Sequence, residues 1–200
     1  MSKLSVQTRG NSTPQGKPRV YFCCHPQDFS ICFSLLCQDL LTLENCAVYY
    51  ETDWSSPADP ALLEDMRLFV VPLTTNFLTK PCRAREVEYG FALEHHIPVL
   101  PIAMEPGLEG LFQEVMDQVH PGCGQVQFLD RTARNQGGIP YQEKLKRRLA
   151  SILAGDQLTQ AVRDAFDAYL FLSYRKKDRT QARHLMELIH QIPFCRDVAI

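Results

Sequence analysis

Short apolar runs alternate with stretches of helical periodicity along most of the chain. Residues 19–25 (RVYFCCH) are rich in β-formers and predict a first buried strand. Pro26, Gln27 and Asp28 form a turn at its carboxyl end, with Asp28 placed to cap a following helix. That helix is expected over about Phe29–Leu43, with Phe29, Phe33, Leu36, Leu40 and Leu43 at helical spacing. Asn45 and Cys46 break it, and Ala47–Tyr50 (AVYY) reads as the second strand.

Residues 51–65 (ETDWSSPADPALLED) read as a long polar loop carrying the single tryptophan, Trp54. Residues 67–73 (RLFVVPL) predict the third and most apolar strand, followed by a loop at Thr74, Thr75 and Asn76 and a turn or short helix from Phe77. Residues 82–101 (CRAREVEYGFALEHHIPVLP) predict a helix feeding a buried strand. Val87 and Phe91 set its core stripe, and Pro98 stops it. Weak helicity over residues 108–119, a short fifth strand at residues 125–129 and a basic amphipathic helix over Tyr141–Leu153 complete the pattern.

This order predicts an α/β fold: a three-layer parallel sheet of about five strands with right-handed crossovers. Such sheets bind ligands at the carboxyl ends of their strands. Here that edge comprises residues 25–28, residues 51–59, residues 74–77 and the front of the helix bearing Glu86 and Glu88. Residues 1–17, polar and rich in Ser, Thr, Gln, Gly and Pro, read as a disordered tail.

The opening pattern returns 150 residues on: VYFCCHPQD at residues 20–28 is answered by LFLSYRKKD at residues 170–178. Each apolar strand ends in a polar turn closed by Asp, and a helix follows. The repeat predicts tandem domains of one fold: a first at residues 18–154, a linker helix at residues 155–165, and the start of a second at residues 166–200. The second stops in its second strand, so the chain is expected to be part of a longer protein.

Composition narrows the chemistry. A net charge of −2 gives no reason to expect nucleic acid or a membrane surface as partner. The 8 cysteines include no CxxC pair and no zinc spacing, so no metal site is expected and the thiols read as small hydrophobes in a reducing, cytoplasmic setting. No glycine-rich phosphate loop follows any strand. The run at residues 144–148 (KLKRR) could bind phosphate, but the solvated outer face of a terminal helix is the better account of it.

At the two openings the sequence resembles a known family. AYLFLSYRKKDR (residues 168–179) looks like the first box of Toll/interleukin-1 receptor (TIR) domains, where a strand ends in Ser-Tyr and a charged turn with Asp. The first copy is similar, with His25 in place of Arg175 and Cys23-Cys24 in place of Ser173-Tyr174. The segment at residues 77–102 (FLTKPCRAREVEYGFALEHHIPVLPI) is similar to the family's third-helix region, in which a Glu precedes Ala-Leu and a proline-bearing strand. The resemblance implies a flavodoxin-like TIR fold in a tandem arrangement like that of bacterial TIR proteins. It implies signalling or defence, homotypic assembly with other TIR domains, and NAD+ or a related nucleotide as ligand, with no tightly bound cofactor. In enzymatic members the helix Glu cleaves NAD+ to nicotinamide and ADP-ribose, and the spacing of Ala92 and Pro101 assigns that role to Glu88. Nucleotide contacts would fall to His25, Asp28, Trp54, Thr74 and Phe77 in the first copy and Arg175 in the second. Arg85 stands where the family carries Cys, and Pro81 where it carries an aromatic residue. A non-catalytic assembly or nucleotide-sensing module is therefore the alternative. Taken without the resemblance, Glu88 reads as a solvated helix carboxylate paired with Arg85.

Overall fold

The computed structural model describes residues 4–54, 59–120, 128–132, 140–153, 168–169, 175–191 and 198–199. The chain divides into two compact units, residues 1–153 and 154–200.

Strands of the first unit run in the order β1(Ser5–Thr8), β3(Ala47–Tyr50), β2(Arg19–Phe22), β4(Leu68–Leu73), β5(Val99–Ala103) and β6(Leu129–Asp130). The five strands from β2 to β6 are mutually parallel, as the alternation of elements predicts. The sheet as a whole is mixed, because β1 pairs antiparallel to β3, from Ser5 opposite Tyr50 to Thr8 opposite Ala47. Residues 5–8 thus depart from the expected disordered tail. They cover a sheet edge that would otherwise present unpaired backbone. Arg9 anchors the segment that follows, donating from Nε to the Leu41 carbonyl at 2.5 Å and from Nη2 to that of Thr42. Those carbonyls lie in the last turn of α1(Phe29–Leu43), where backbone acceptors lack helical partners.

Two apolar layers sandwich the sheet. On one face Val20, Phe22, Val48, Leu68, Val70, Leu100 and Ile102 pack against Leu36 and Leu40 of α1 and against Leu145 and Leu149 of α6(Tyr141–Leu153). On the other, Tyr21, Phe69, Val71 and Leu73 meet α3(Thr75–Thr79), α4(Tyr89–Glu94) and α5(Glu109–Val119). Alternation along β2 and β4 sends successive side chains to opposite layers, and every residue of β4 is buried. The long loop after β3 includes a short helix, α2(Pro60–Glu64), because Asp59 accepts from the Ala61 amide and Pro60 sits at a first-turn position that needs no donor. Of the predicted fifth strand, residues 125–127 lie outside the described residues.

The helix expected after Cys82 begins differently. Ala84–Glu88 is a π-helical turn that runs into α4. The wider turn rotates everything after it relative to an α-helix. Val87, expected in the core stripe, is 56% exposed, whereas Ala84, Arg85, Glu88, Tyr89 and Ala92 are buried. The π turn leaves the Arg85 carbonyl to accept from outside the helix, and His120 Nε2 lies 2.9 Å from it. Gly90 makes room for that imidazole: a Cβ there would stand 2.9 Å from its Cε1.

In the second unit, β7(Ala168–Tyr169) pairs parallel to β8(Val198–Ala199), with α7(Arg179–Gln191) between them. A single 3-10 turn, Lys176–Asp178, precedes α7, just as Pro26–Asp28 precedes α1. In both turns the Asp amide donates to the carbonyl three residues back, Asp28 to His25 at 3.0 Å and Asp178 to Arg175 at 2.8 Å. The linker helix expected at residues 155–165 lies outside the described residues.

Candidate functional site

The carboxyl ends of β2 and β3 and the π turn converge on a buried charged cluster. Glu88, last residue of the π turn, is 4% exposed, and Glu51, first residue beyond β3, is 3% exposed. Arg83 joins them: its Nε donates to Glu88 Oε1 at 3.1 Å and its Nη2 to Glu51 Oε2. The Tyr21 hydroxyl donates to the other Glu88 oxygen, Oε2, at 3.0 Å. Arg83 Nη1 also lies 3.4 Å from the Trp54 carbonyl.

Backbone geometry creates this arrangement. Five residues along an α-helix turn through ~500°, leaving Arg83 and Glu88 ~140° apart. The π turn takes up the extra residue and brings both to one side. The same turn separates Glu86 from Glu88. Glu86 has a side chain 47% exposed and accepts from Arg85 Nη2 at 3.0 Å. Arg85, the expected partner of Glu88 in the solvated-helix reading, is itself buried. It donates to the carbonyls of Phe77 and Leu78 at the end of α3, so that reading fails on both residues.

Electrostatics fix the protonation of the surrounding donors. Burial, reinforced by the Glu88 charge, pushes the Tyr21 phenol well above its usual range, so it remains a neutral donor. Burial and then Glu88 do the same to the Cys23 thiol, which points at the Ala84 carbonyl 3.2 Å away. Burial alone would weaken the Arg83 cation, but the carboxylates of Glu88 and Glu51 outweigh it and hold the guanidinium above its ordinary value. The cluster therefore contains two carboxylates, one bridging cation and a locked phenol.

The other candidates occupy a neighbouring part of the same sheet edge. Asp28 makes no capping bond to α1 and instead ties two loops together, accepting from Thr74 Oγ1 at 2.6 Å and Asn76 Nδ2 at 2.7 Å. Thr74 is also the cap of α3, accepting from the Phe77 amide at 3.1 Å. Phe77 is fully buried in the core and presents no face to a ligand. His25 is buried, and its Nδ1 accepts from the Gln27 amide at 3.2 Å. Burial lowers its pKa, partly opposed by Asp28, so the ring is a neutral acceptor at this turn. Trp54, 36% exposed, packs edge-on against Phe29 with ring centroids 5.3 Å apart. Arg175 belongs to the second unit, where it is exposed and pairs with Asp178 at 3.0 Å.

Sequence reasoning missed Arg83 and Glu51 as partners of Glu88. Glu51 carried a readable signal, a charge directly after an apolar strand at the ligand-binding edge. Arg83 carried none, since its spacing to Glu88 makes sense only through the π turn. Among the described residues no cluster of His, Cys, Asp and Glu is arranged to hold a metal ion, and no helix is long and apolar enough to cross a membrane.

No protein-family model matches the sequence, and no curated protein sequence matches it.

Proposed function

We propose that this chain is a TIR-like signalling or defence module whose ligand is NAD+ or a related nucleotide, with Glu88 as the carboxylate that acts on the nicotinamide–ribose bond. One observation carries the reading. Glu88, singled out by its resemblance to the family's glutamate, is not on the outer face of its helix; it lies buried beneath the carboxyl edge of the sheet with its oxygens oriented by Tyr21 and Arg83. Further support comes from the parallel strands, whose order β3-β2-β4-β5-β6 is the flavodoxin-like 2-1-3-4-5 arrangement, with its switch point between β2 and β4. The strand, 3-10 turn, helix and strand shared by both units agree with a tandem protein.

The chemistry suits a carboxylate. Departure of neutral nicotinamide leaves positive charge on the ribosyl ring, and a fixed anion beside it stabilises that charge as it develops; water then bonds to the same ribosyl carbon and loses a proton, giving ADP-ribose. Tyr21 and Arg83 would hold the carboxylate in place, and Glu51 would add negative potential. The test follows nicotinamide release from NAD+ by the wild-type chain and by Glu88→Gln. Release that falls at least a hundredfold in the variant supports the assignment. Equal release by both sinks it.

A second reading has its own observation. The Arg83 guanidinium sits directly on Glu88, and a carboxylate so covered suits a module that senses a nucleotide or assembles with other TIR domains without cleaving anything. In that case NAD+ binds with no nicotinamide released.

A further inference from the structure

A groove runs between α1 and the segment that ends β1, far from the Glu88 cluster. Thr8, which lines it, pairs with Ala47, the first residue of β3, whereas Glu51 lies past the last. The groove has a volume of about 790 Å³, the size of a small-molecule site. Its floor is two rows of α1 at helical spacing, Phe33, Cys37 and Leu41 beside Ser34, Gln38 and Thr42. The first row is apolar, and the second is polar but uncharged. Phe33 is a fixed surface, its ring stacked on Phe29 with centroids 4.9 Å apart and tilted against Tyr50 at 4.3 Å. Burial pushes the Cys37 thiol up to about 12, so this row stays neutral.

Residues 7–11 form the facing wall, and that wall is set in advance. Thr8 Oγ1 donates to the Ser12 carbonyl at 2.5 Å, and the Ser12 amide donates to the Arg9 carbonyl at 3.3 Å. Gly10 and Asn11 both hold positive φ, 61° and 52°, a conformation that is costly for Asn11 and that the surrounding bonds must offset. Among the described residues that line the groove, Arg9 alone is charged. One edge of its guanidinium, Nε and Nη2, is committed to the Leu41 and Thr42 carbonyls. The other edge, Nη1 with the second Nη2 hydrogen, has no partner among the described residues and matches the two oxygens of a carboxylate.

We propose that this groove binds an aromatic carboxylate, with its ring along Phe33, Cys37 and Leu41 and its anion on the open edge of Arg9. The lining selects this class. A cationic ring would face Arg9 with no lining acid to receive it, and a neutral ring would leave the open guanidinium edge without an anion.

The experiment titrates the full chain with naphthoate and follows amide proton and nitrogen shifts, with naphthylmethanol and naphthylmethylammonium as neutral and cationic controls. Expected are saturable shifts in residues 7–11 and 33–42, with Kd below about 1 mM and at least tenfold tighter than for either control. Arg9→Gln should lose that tenfold preference. Ser34→Glu places an anion in the groove and should abolish naphthoate binding while admitting the ammonium probe. If Arg9→Gln releases β1, seen as lost amide protection in residues 5–8, Ser34→Glu decides alone. Ser34 is exposed, and its hydroxyl bonds only within α1, to the Ile31 carbonyl, so that variant is expected to fold. No saturable shift, equal binding of the three probes, or naphthoate binding unchanged in Ser34→Glu overturns the proposal. Shifts centred on residues 51–54 and 83–88 instead of the groove overturn it too. Shifts in the groove on raising protein concentration alone would assign it to a second copy of the chain and overturn the small-molecule site.

Discussion

The bond between Tyr21 and Glu88 links the first strand to the π turn through the centre of the cluster, and its strength is open to direct measurement. Both residues are almost wholly buried, at 1% and 4% exposure, and the oxygens are 3.0 Å apart. A buried hydroxyl donating to a charged group contributes about 1.5–3 kcal/mol. Tyr21→Phe leaves one carboxylate oxygen short of a donor and is expected to cost about 2 kcal/mol. Glu88→Met leaves the Tyr21 hydroxyl without its acceptor and removes one of the anions facing Arg83. Breaking a buried pair costs about 3–5 kcal/mol, and the partial exposure of Arg83 places this one near the lower end. The double variant removes donor and acceptor together, so its cost should fall about 2 kcal/mol below the sum of the singles. Urea unfolding followed by circular dichroism and by the fluorescence of the single tryptophan, Trp54, supplies the three differences. Costs that add to within about 0.5 kcal/mol would refute the bond as drawn. A pH arm checks the same contact. The folded state keeps the Tyr21 proton to a higher pH than the unfolded state does, so its contribution is fully present below about pH 10 and is lost as pH rises past it. Tyr21→Phe should decline less steeply in that alkaline range.

Two further outcomes are expected. His25 has a folded pKa lowered by burial, so the unfolded chain takes up a proton first as pH falls; stability should therefore drop as pH falls below about 6.5, and His25→Asn should flatten that slope in urea titrations across pH 5 to 7. Asp28→Ala strips the acceptor from Thr74 and Asn76 without removing a helix cap, so it should cost about 1–3 kcal/mol and speed amide exchange in residues 74–78; an effect confined to the first turn of α1 would instead restore the capping role.

The candidate site came within reach of sequence only in part. Apolar runs and helical spacing place α1 and α6 at the predicted bounds, because those periodicities reflect which side of an element meets the core. The position of Glu51 beyond β3 and of Glu88 near the front of a helix also follows from the chain alone. The edge strand β1 does not: Ser5–Thr8 has little apolar character, and its structure comes from pairing with β3, a partner some forty residues away. The role of Asp28 was misplaced for a similar reason, since its local context suits a cap and its actual donors lie on the loop after β4.

The sequence by itself determined the alternation of strands and helices, the parallel core they build and the edge at which charged residues gather, because these depend on patterns repeated over many neighbours. Only the tertiary structure decided which charges meet. A π turn of five residues, Ala84–Glu88, turns Val87 outward, sends Arg85 to the end of α3 and swings Arg83 onto Glu88 and Glu51. Such a turn has no periodicity of its own to read. It is held by contacts from distant residues, among them the Cys23 thiol at the Ala84 carbonyl and His120 at that of Arg85.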